Sequence, residues 1–399
     1  MKELRLAVIG CFGRGKLADY AHDPENGVRI VAGADKYPDA IDLFKARYRE
    51  KFDFEPVCYS DYREMIEKVK PDGVFITSPD FLHEEQAVFC LEHKVAVYLE
   101  KPIAISIAGA DRILEAAYKN RTPLMLGHNM RYMSHIMKMK ELVDAGAVGE
   151  VKAVWCRHFV SYGGDAYFRD WHAMEKYCNS LLLQKGAHDI DVIHWLAGGY
   201  TERVHGMGNL SVYDKLPRRG EDNLRFVGRK TAVWDTDHYP ATKQKDFYPW
   251  IEVNDLNMIN MQLDNGVLAC YLQCHYTPDG WRNYTVIGTE GRLENFGTWR
   301  LHLWNHRTDN YAEVPDVVYN IPQPKNKATH SGADPRIVKS FVDALRGVYD
   351  VHSSPQAARN SVAAGCQGAD SIRQNGLPLD VPPLAEHLRN YDFIRCKEL

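Results

Sequence analysis

Apolar positions in the first third of the chain come in short unbroken runs. Five stand out: Leu4–Ile9, Val28–Ala34, 73–77, 95–99 and 123–127. Runs of this length without polar alternation belong to strands buried on both faces. Helical spacing fills the gaps, at about 37–49, 62–69, 83–93 and 106–119. This alternation predicts a parallel sheet with right-handed crossovers. From about residue 151 the rhythm changes. Alternation over 151–160, 203–213, 257–263, 267–276 and 284–288 predicts strands with one wet face, and 181–195 reads as one strong helix among them. That is the pattern of an α+β domain on a largely antiparallel sheet. Residues 214–250 are polar, basic and aromatic, with little periodicity. A loop of that length is usually functional or disordered, and Trp234, Tyr239, Phe247, Tyr248 and Trp250 favour an ordered lid. Two helices, about 335–347 and 355–374, follow near the end.

Length and composition narrow the class. The 399 residues predict two or three domains, and 45% apolar with 26% charged residues is ordinary for a globular protein. The net charge of −4 argues against nucleic acid or an anionic membrane as partner. No stretch has the length of a membrane helix and no secretory leader is recognisable, so a cytoplasmic location is expected. The nine cysteines are scattered without a CxxC pair, as expected of reduced thiols, and a metal is not expected.

Four motifs carry chemistry. Gly10-Cys11-Phe12-Gly13-Arg14-Gly15 follows the first strand and opens a helix, the context in which backbone N–H groups can face a pyrophosphate. Phe12 stands where a second glycine would be, so a plain strand–helix turn is the alternative. Asp35 closes the second strand. A carboxylate there can accept from ribose hydroxyls and repels a 2′-phosphate, favouring NAD over NADP; its alternative is a helix cap. Glu100-Lys101-Pro102 follows another strand, and a lysine at that edge can contact a reacting oxygen or be a salt-bridged surface residue. Gln184 to Asp191 lies on the strong helix. His188 can accept a proton near neutral pH, or be a core histidine bonded to Asp191, or, with Asp191 and His194, a metal ligand.

Together these pieces resemble the Gfo/Idh/MocA family of NAD(P)-dependent oxidoreductases. The resemblance adds Thr77-Ser78-Pro79-Asp80 with His83, and Gly127-His128-Asn129-Met130-Arg131-Tyr132. It implies a Rossmann dinucleotide-binding domain over 1–128. Residues 129–399 would form a substrate and oligomerisation domain, its sheet assembling a homodimer or tetramer. Gly10, Phe12, Gly13, Arg14, Asp35, Thr77, Ser78, Pro79, His83, Glu100, Lys101, Asn129 and Arg131 would serve the cofactor. Lys101 would hold the reacting oxygen and His188 would be the acid/base. Members commonly carry an aspartate where Gln184 stands here, and Lys185 places a second cation near His188, which would lower its pKa.

Two functions follow. The first is NAD-dependent oxidation of a secondary alcohol on a sugar, sugar derivative or polyol. Tyr162, Tyr167, Arg169, Trp171 and His172 precede the helix and would enclose that carbohydrate, together with Gln184, Lys185, His188, His275 and His330. The second is a glycosidase that keeps NAD bound, oxidises C3 transiently and eliminates the glycosidic bond. A non-catalytic NAD-binding regulator is a third reading, against which the presence of both Lys101 and His188 counts.

Overall fold

The strands predicted in the first third pair side by side, edge to edge, in the computed structural model, which describes residues 3–221, 238–325 and 329–399. Two units emerge from its contacts. The first is Met1–Met133 with Pro324–Arg359 and Leu384–Leu399; the second is Ser134–Gln323 with Asn360–Pro383.

In the first unit, among the described residues, β1 (Leu4–Ile9), β2 (Val28–Ala34), β3 (Val57–Tyr59), β4 (Gly73–Ile76), β5 (Ala96–Leu99) and β6 (Leu124–Leu126) form a parallel sheet ordered β3-β2-β1-β4-β5-β6. The order reverses between β1 and β4, which opens a crevice at their carboxyl ends. The central strands are apolar on both faces because both are covered: Leu6, Val8, Val74, Phe75, Val97 and Leu99 are fully buried. β3 is a short, half-exposed edge strand with no apolar run to announce it. Helices begin where side chains cap them, Asp61 accepting from the Arg63 N–H at 2.8 Å and Ser106 from the Gly109 N–H at 3.0 Å. After the glycine turn the expected helix is replaced by 3-10 turns over Gly13–Ala21, where Phe12 offers no side-chain cap.

The sequence places everything after residue 128 in a second domain, yet two late segments complete the first unit. Phe341, on the helix Ala333–Leu345, packs its ring 5.3 Å from Phe75 and 5.7 Å from Tyr98. Ser353 donates to the Leu126 carbonyl at 2.8 Å, and the Leu124 N–H donates to the Phe393 carbonyl at 3.0 Å. Periodicity marks these segments as ordered but does not say which sheet they cover.

The second unit is built on β7 (Val151–Phe159), β8 (Thr201–Asn209), β9 (Leu256–Leu263), β10 (Leu268–Cys274), β11 (Trp281–Gly288), β12 (Arg292–Phe296), β13 (Arg300–Trp304), β14 (Val317–Asn320) and β15 (Leu379–Asp380). Their order among the described residues is β14-β13-β12-β11-β7-β10-β9-β8-β15, antiparallel except for β7 beside β10. The single helix expected over 181–195 is two, Leu181–Gln184 and Gly186–Ala197, with Lys185 at the join. Gly186 allows the close approach to the sheet, since a Cβ there would lie 2.9 Å from the Tyr271 ring.

Part of the aromatic insert is pinned to this unit. Phe247 is fully buried with Phe168, Tyr213 and Val160, whereas Tyr239 and Trp250 are exposed. Trp234 lies outside the described residues. Among the described residues no helix is long and apolar enough to cross a membrane.

Candidate functional site

The predicted residues divide between the two units. In the first, they collect where β1, β2, β4, β5 and β6 end. Gly10 has a φ of +89°, and a Cβ on it would lie 2.7 Å from the Ser78 nitrogen. Only glycine fits so close to the next strand's exit. Gly13 is also left-handed, at +57°. The Thr77 hydroxyl fastens this turn by donating to the Gly10 carbonyl at 2.8 Å. Asp35 closes β2 beside it. One of its carboxylate oxygens accepts from the Cys11 N–H at 3.0 Å and the other from the Tyr37 N–H at 3.1 Å. These bonds hold the carboxylate at the end of β2, and a carboxylate is an acceptor suited to ribose hydroxyls. A glycine turn tight against two strand ends, with a carboxylate at the next one, is a cradle fitted to the pyrophosphate and adenosine ribose of NAD.

Several residues assigned to the groove make bonds that brace it. Ser78 donates to the Gln86 side-chain oxygen at 2.6 Å, and Pro79 opens the turn Asp80–Leu82. His83 is fully buried, one ring nitrogen 2.7 Å from the Pro102 carbonyl and the other 3.0 Å from the Ser78 carbonyl. It ties the loop after β5 to the loop after β4. Arg14 donates through Nε to Glu100 at 2.7 Å and through both terminal nitrogens to Asp334 at 2.8 Å. Asn129 donates to Asp334 at 3.0 Å, and Arg131 donates to the His352 carbonyl at 2.9 Å. His330, assigned to substrate, contacts the same Asp334 at 2.8 Å. Burial alone would raise the Asp334 pKa, but bonds from His330 and Arg14 hold its carboxyl well below the usual range. Asp334 is the anchor that sequence reasoning missed, because two of its partners, Arg14 and Asn129, lie more than two hundred positions away. Lys101 follows β5, half-exposed at the carboxyl edge, its N–H donating to Glu100 Oε2 at 3.2 Å.

In the second unit a cluster gathers six of the predicted side chains. The Lys185 ammonium donates to the Tyr162 hydroxyl at 2.8 Å and lies 5.4 Å from the Tyr167 ring centre. Trp171 and His172 stack at 3.6 Å, His172 meets Asp170 at 2.5 Å, and Tyr167 lies edge-on to His172 and His275. His275 is fully buried, neither ring nitrogen has a described protein partner, and burial pushes its pKa well below the ordinary value. Arg169 donates to the carbonyls of Gly164 and Lys245, tying this segment to the insert. Gln184 and His188 are buried at the same bend of the helix pair. His194 faces Thr201 at 2.7 Å. Among the described residues no three metal-ligating side chains are placed to hold an ion.

Beneath His188 lies a network no motif announces. Asp189 is fully buried and accepts from Arg282 Nε at 2.8 Å and from the Tyr271 hydroxyl at 3.0 Å; Tyr284 also donates to it, and His158 Nδ1 lies 3.0 Å away. Burial raises its pKa, but Arg282 and His158 outweigh that and hold the carboxyl far below its usual range. Register explains the assembly: Arg282 and Gln273 flank His158, while Tyr284 and Tyr271 flank Cys156, all on one face. The signal was a row of polar residues at positions alternation assigns to the core. Asp189, one residue from His188, thereby fixes the helix to the sheet.

Known proteins match both halves. The model of the oxidoreductase family with NAD-binding Rossmann fold matches residues 4–128, and that of the GFO/IDH/MocA C-terminal domain matches 136–294. Among relatives aligned over most of the chain, oxidoreductase YteT of Bacillus subtilis is 26% identical over 84% of this chain and 87% of its own. Glycosyl hydrolase family 109 protein 2 of Akkermansia muciniphila is 23% identical over 95% of this chain and 82% of its own. The solved structure of levoglucosan dehydrogenase in complex with NADH has a TM-score of 0.75 at 17% identity, covering 96% of this chain and all of that one, and shows the shared fold.

Proposed function

Since this chain belongs to the Gfo/Idh/MocA family of NAD(P)-dependent oxidoreductases, we propose that it oxidises a secondary alcohol of a sugar, sugar derivative or polyol, with Lys101 and His188 at the reacting hydroxyl. The observation that carries this reading is the NAD cradle at Gly10, Thr77 and Asp35 together with Lys101 at the carboxyl edge of the same sheet. Bound there, NAD supplies a hydride acceptor. Lys101 offers a cation to the oxygen on which negative charge develops. Tyr162, Trp171 and His172 offer ring faces to sugar C–H surfaces and donors to hydroxyls. His188→Ala should lower turnover by about 10²-fold or more through lost positioning of the hydroxyl; steady-state NADH formation across a panel of sugars and polyols measures this, and an undiminished rate would remove His188 from the hydroxyl.

A second reading, a glycosidase that retains NAD, is favoured by the glycosyl hydrolase relative that aligns over 95% of the chain and by the Lys185–Tyr162 pair, an acid/base candidate beyond His188. Glycoside cleavage without net NADH would establish it in place of the first.

Cofactor choice is tested separately. Asp35→Ser should raise NADP affinity on the order of tenfold to a hundredfold by removing one like-charge contact. Calorimetry in which the wild type already prefers NADP would overturn the role given to Asp35.

A further inference from the structure

We propose that Tyr162, held by the Lys185 ammonium, takes the proton from the reacting hydroxyl, with His188 orienting that hydroxyl. The inference rests on the reading above of an alcohol oxidised by NAD, and gives the proton a destination.

The geometry is specific. Lys185 is 8% exposed, yet its ammonium is spent on a phenol oxygen at 2.8 Å and not on a carboxylate. Taking an ammonium out of water this far is costly unless a strong acceptor meets it. A neutral phenol is a modest acceptor, while a phenolate is a full partner. The nearby carboxylates are engaged elsewhere: Asp165 meets His238 at 2.7 Å, and Asp189 holds Arg282. The charged and titratable groups that face the pair are Tyr167, Arg282, His158 and His275. The two cations act in one direction on Tyr162: burial raises its pKa, but Lys185 and Arg282 outweigh that and bring it below the usual phenol value. Tyr167 stays protonated, its pKa pushed up to about 12 by burial. Beside the pair, His275 has two buried ring nitrogens without a described protein partner, polar atoms suited to a substrate hydroxyl.

The step balances. Bound oxidised NAD would supply the two-electron acceptor, taking the carbinol hydrogen as hydride. The O–H bond breaks, its electron pair closes the C=O bond, and the proton passes to the Tyr162 phenolate. In the reverse direction the phenol returns it. Tyr162 must therefore be deprotonated for oxidation, so the rate rises with pH through its titration.

Two measurements on the full-length protein test this. Ultraviolet difference titration of tyrosinate needs no substrate. In the wild type one tyrosine should ionise below the others; that step should be missing in Tyr162→Phe, move to higher pH in Lys185→Met, and persist in Lys185→Arg. Second, Tyr162→Phe should lower oxidation by about 10²–10⁴-fold and lose the acidic limb of the pH–rate profile, with NAD binding and the thermal unfolding midpoint close to wild type. An absent early tyrosine step, or an acidic limb that survives in Tyr162→Phe and vanishes in His188→Ala, overturns the proposal. A normal titration in a protein that forms no NADH from any alcohol counts against the proposed reaction and leaves the pair standing.

Discussion

Lys101→Ala is expected to cost on the order of 10³-fold in kcat/KM for alcohol oxidation while NAD affinity changes only a few-fold. The asymmetry follows from where Lys101 sits. It follows β5, away from the Gly10 turn and Asp35 that would hold the pyrophosphate and adenosine ribose. Its backbone is clamped on both sides: Glu100 accepts from its N–H, Arg14 fixes Glu100, and His83 reaches the carbonyl of Pro102. Truncating the side chain thus removes a preorganised cation without releasing the loop. Initial rates and calorimetric NAD binding on the same preparation separate the two effects. A folded Lys101→Ala protein with near-wild-type rates would make this lysine a surface residue.

Asp189→Ala should be the most destabilising single substitution near the site. It removes the carboxylate that neutralises Arg282 and accepts from two tyrosines in a fully buried setting. Breaking a buried pair from one side typically costs about 3–5 kcal/mol, against total stabilities of about 5–15 kcal/mol. Urea denaturation measures the loss, and a second change, Arg282→Met, should recover part of it by removing the stranded charge. A loss below about 1 kcal/mol would show that water reaches the network.

The same network sets an acid limit. Asp189 has a lowered pKa in the fold, so its contribution is present above about pH 4, the unfolded value, and is lost as pH falls below that. His158 and His135 are pushed down to about 3 and about 4, chiefly by burial. They stay neutral in the fold while the unfolded chain binds protons below about pH 6.5. Stability should therefore begin to decline near pH 6.5, well before the carboxylates titrate.

The contrast between Lys101 and Asp189 marks what the sequence can convey. The strands β1 and β2 and the helix Tyr62–Val69 were readable to the residue, because local apolar runs and helical spacing announce them. The positions of the glycine turn, Asp35 and Lys101 at strand ends were readable because each directly follows an apolar run. The Arg14–Asp334 anchor and the Asp189 network were not, since each is assembled from residues remote along the chain. The strands Arg292–Phe296, Arg300–Trp304 and Val317–Asn320 are only four or five residues long, too short for a periodic pattern to stand out. The break at Lys185 lies beside Gly186, which sits close against the Tyr271 ring, a long-range contact no local pattern encodes.

The late segments that complete the first unit give this protein a particular history on the ribosome. Phe75 and Tyr98 are synthesised early, but Phe341, which packs against both, emerges only after β7 to β14 of the second sheet. At about 5–20 residues per second, residues 324–359 follow residue 133 after roughly 10–40 seconds. Through that interval the nascent nucleotide-binding sheet presents an uncovered aromatic face, and Leu124 at its edge lacks the strand-like neighbour supplied by Phe393. Chaperones that bind exposed apolar chain should therefore associate with ribosome-bound intermediates longer than about 133 residues and be released only once residues 324–359 and Phe393 have emerged. Truncating the chain before Pro324 would extend that vulnerable state indefinitely.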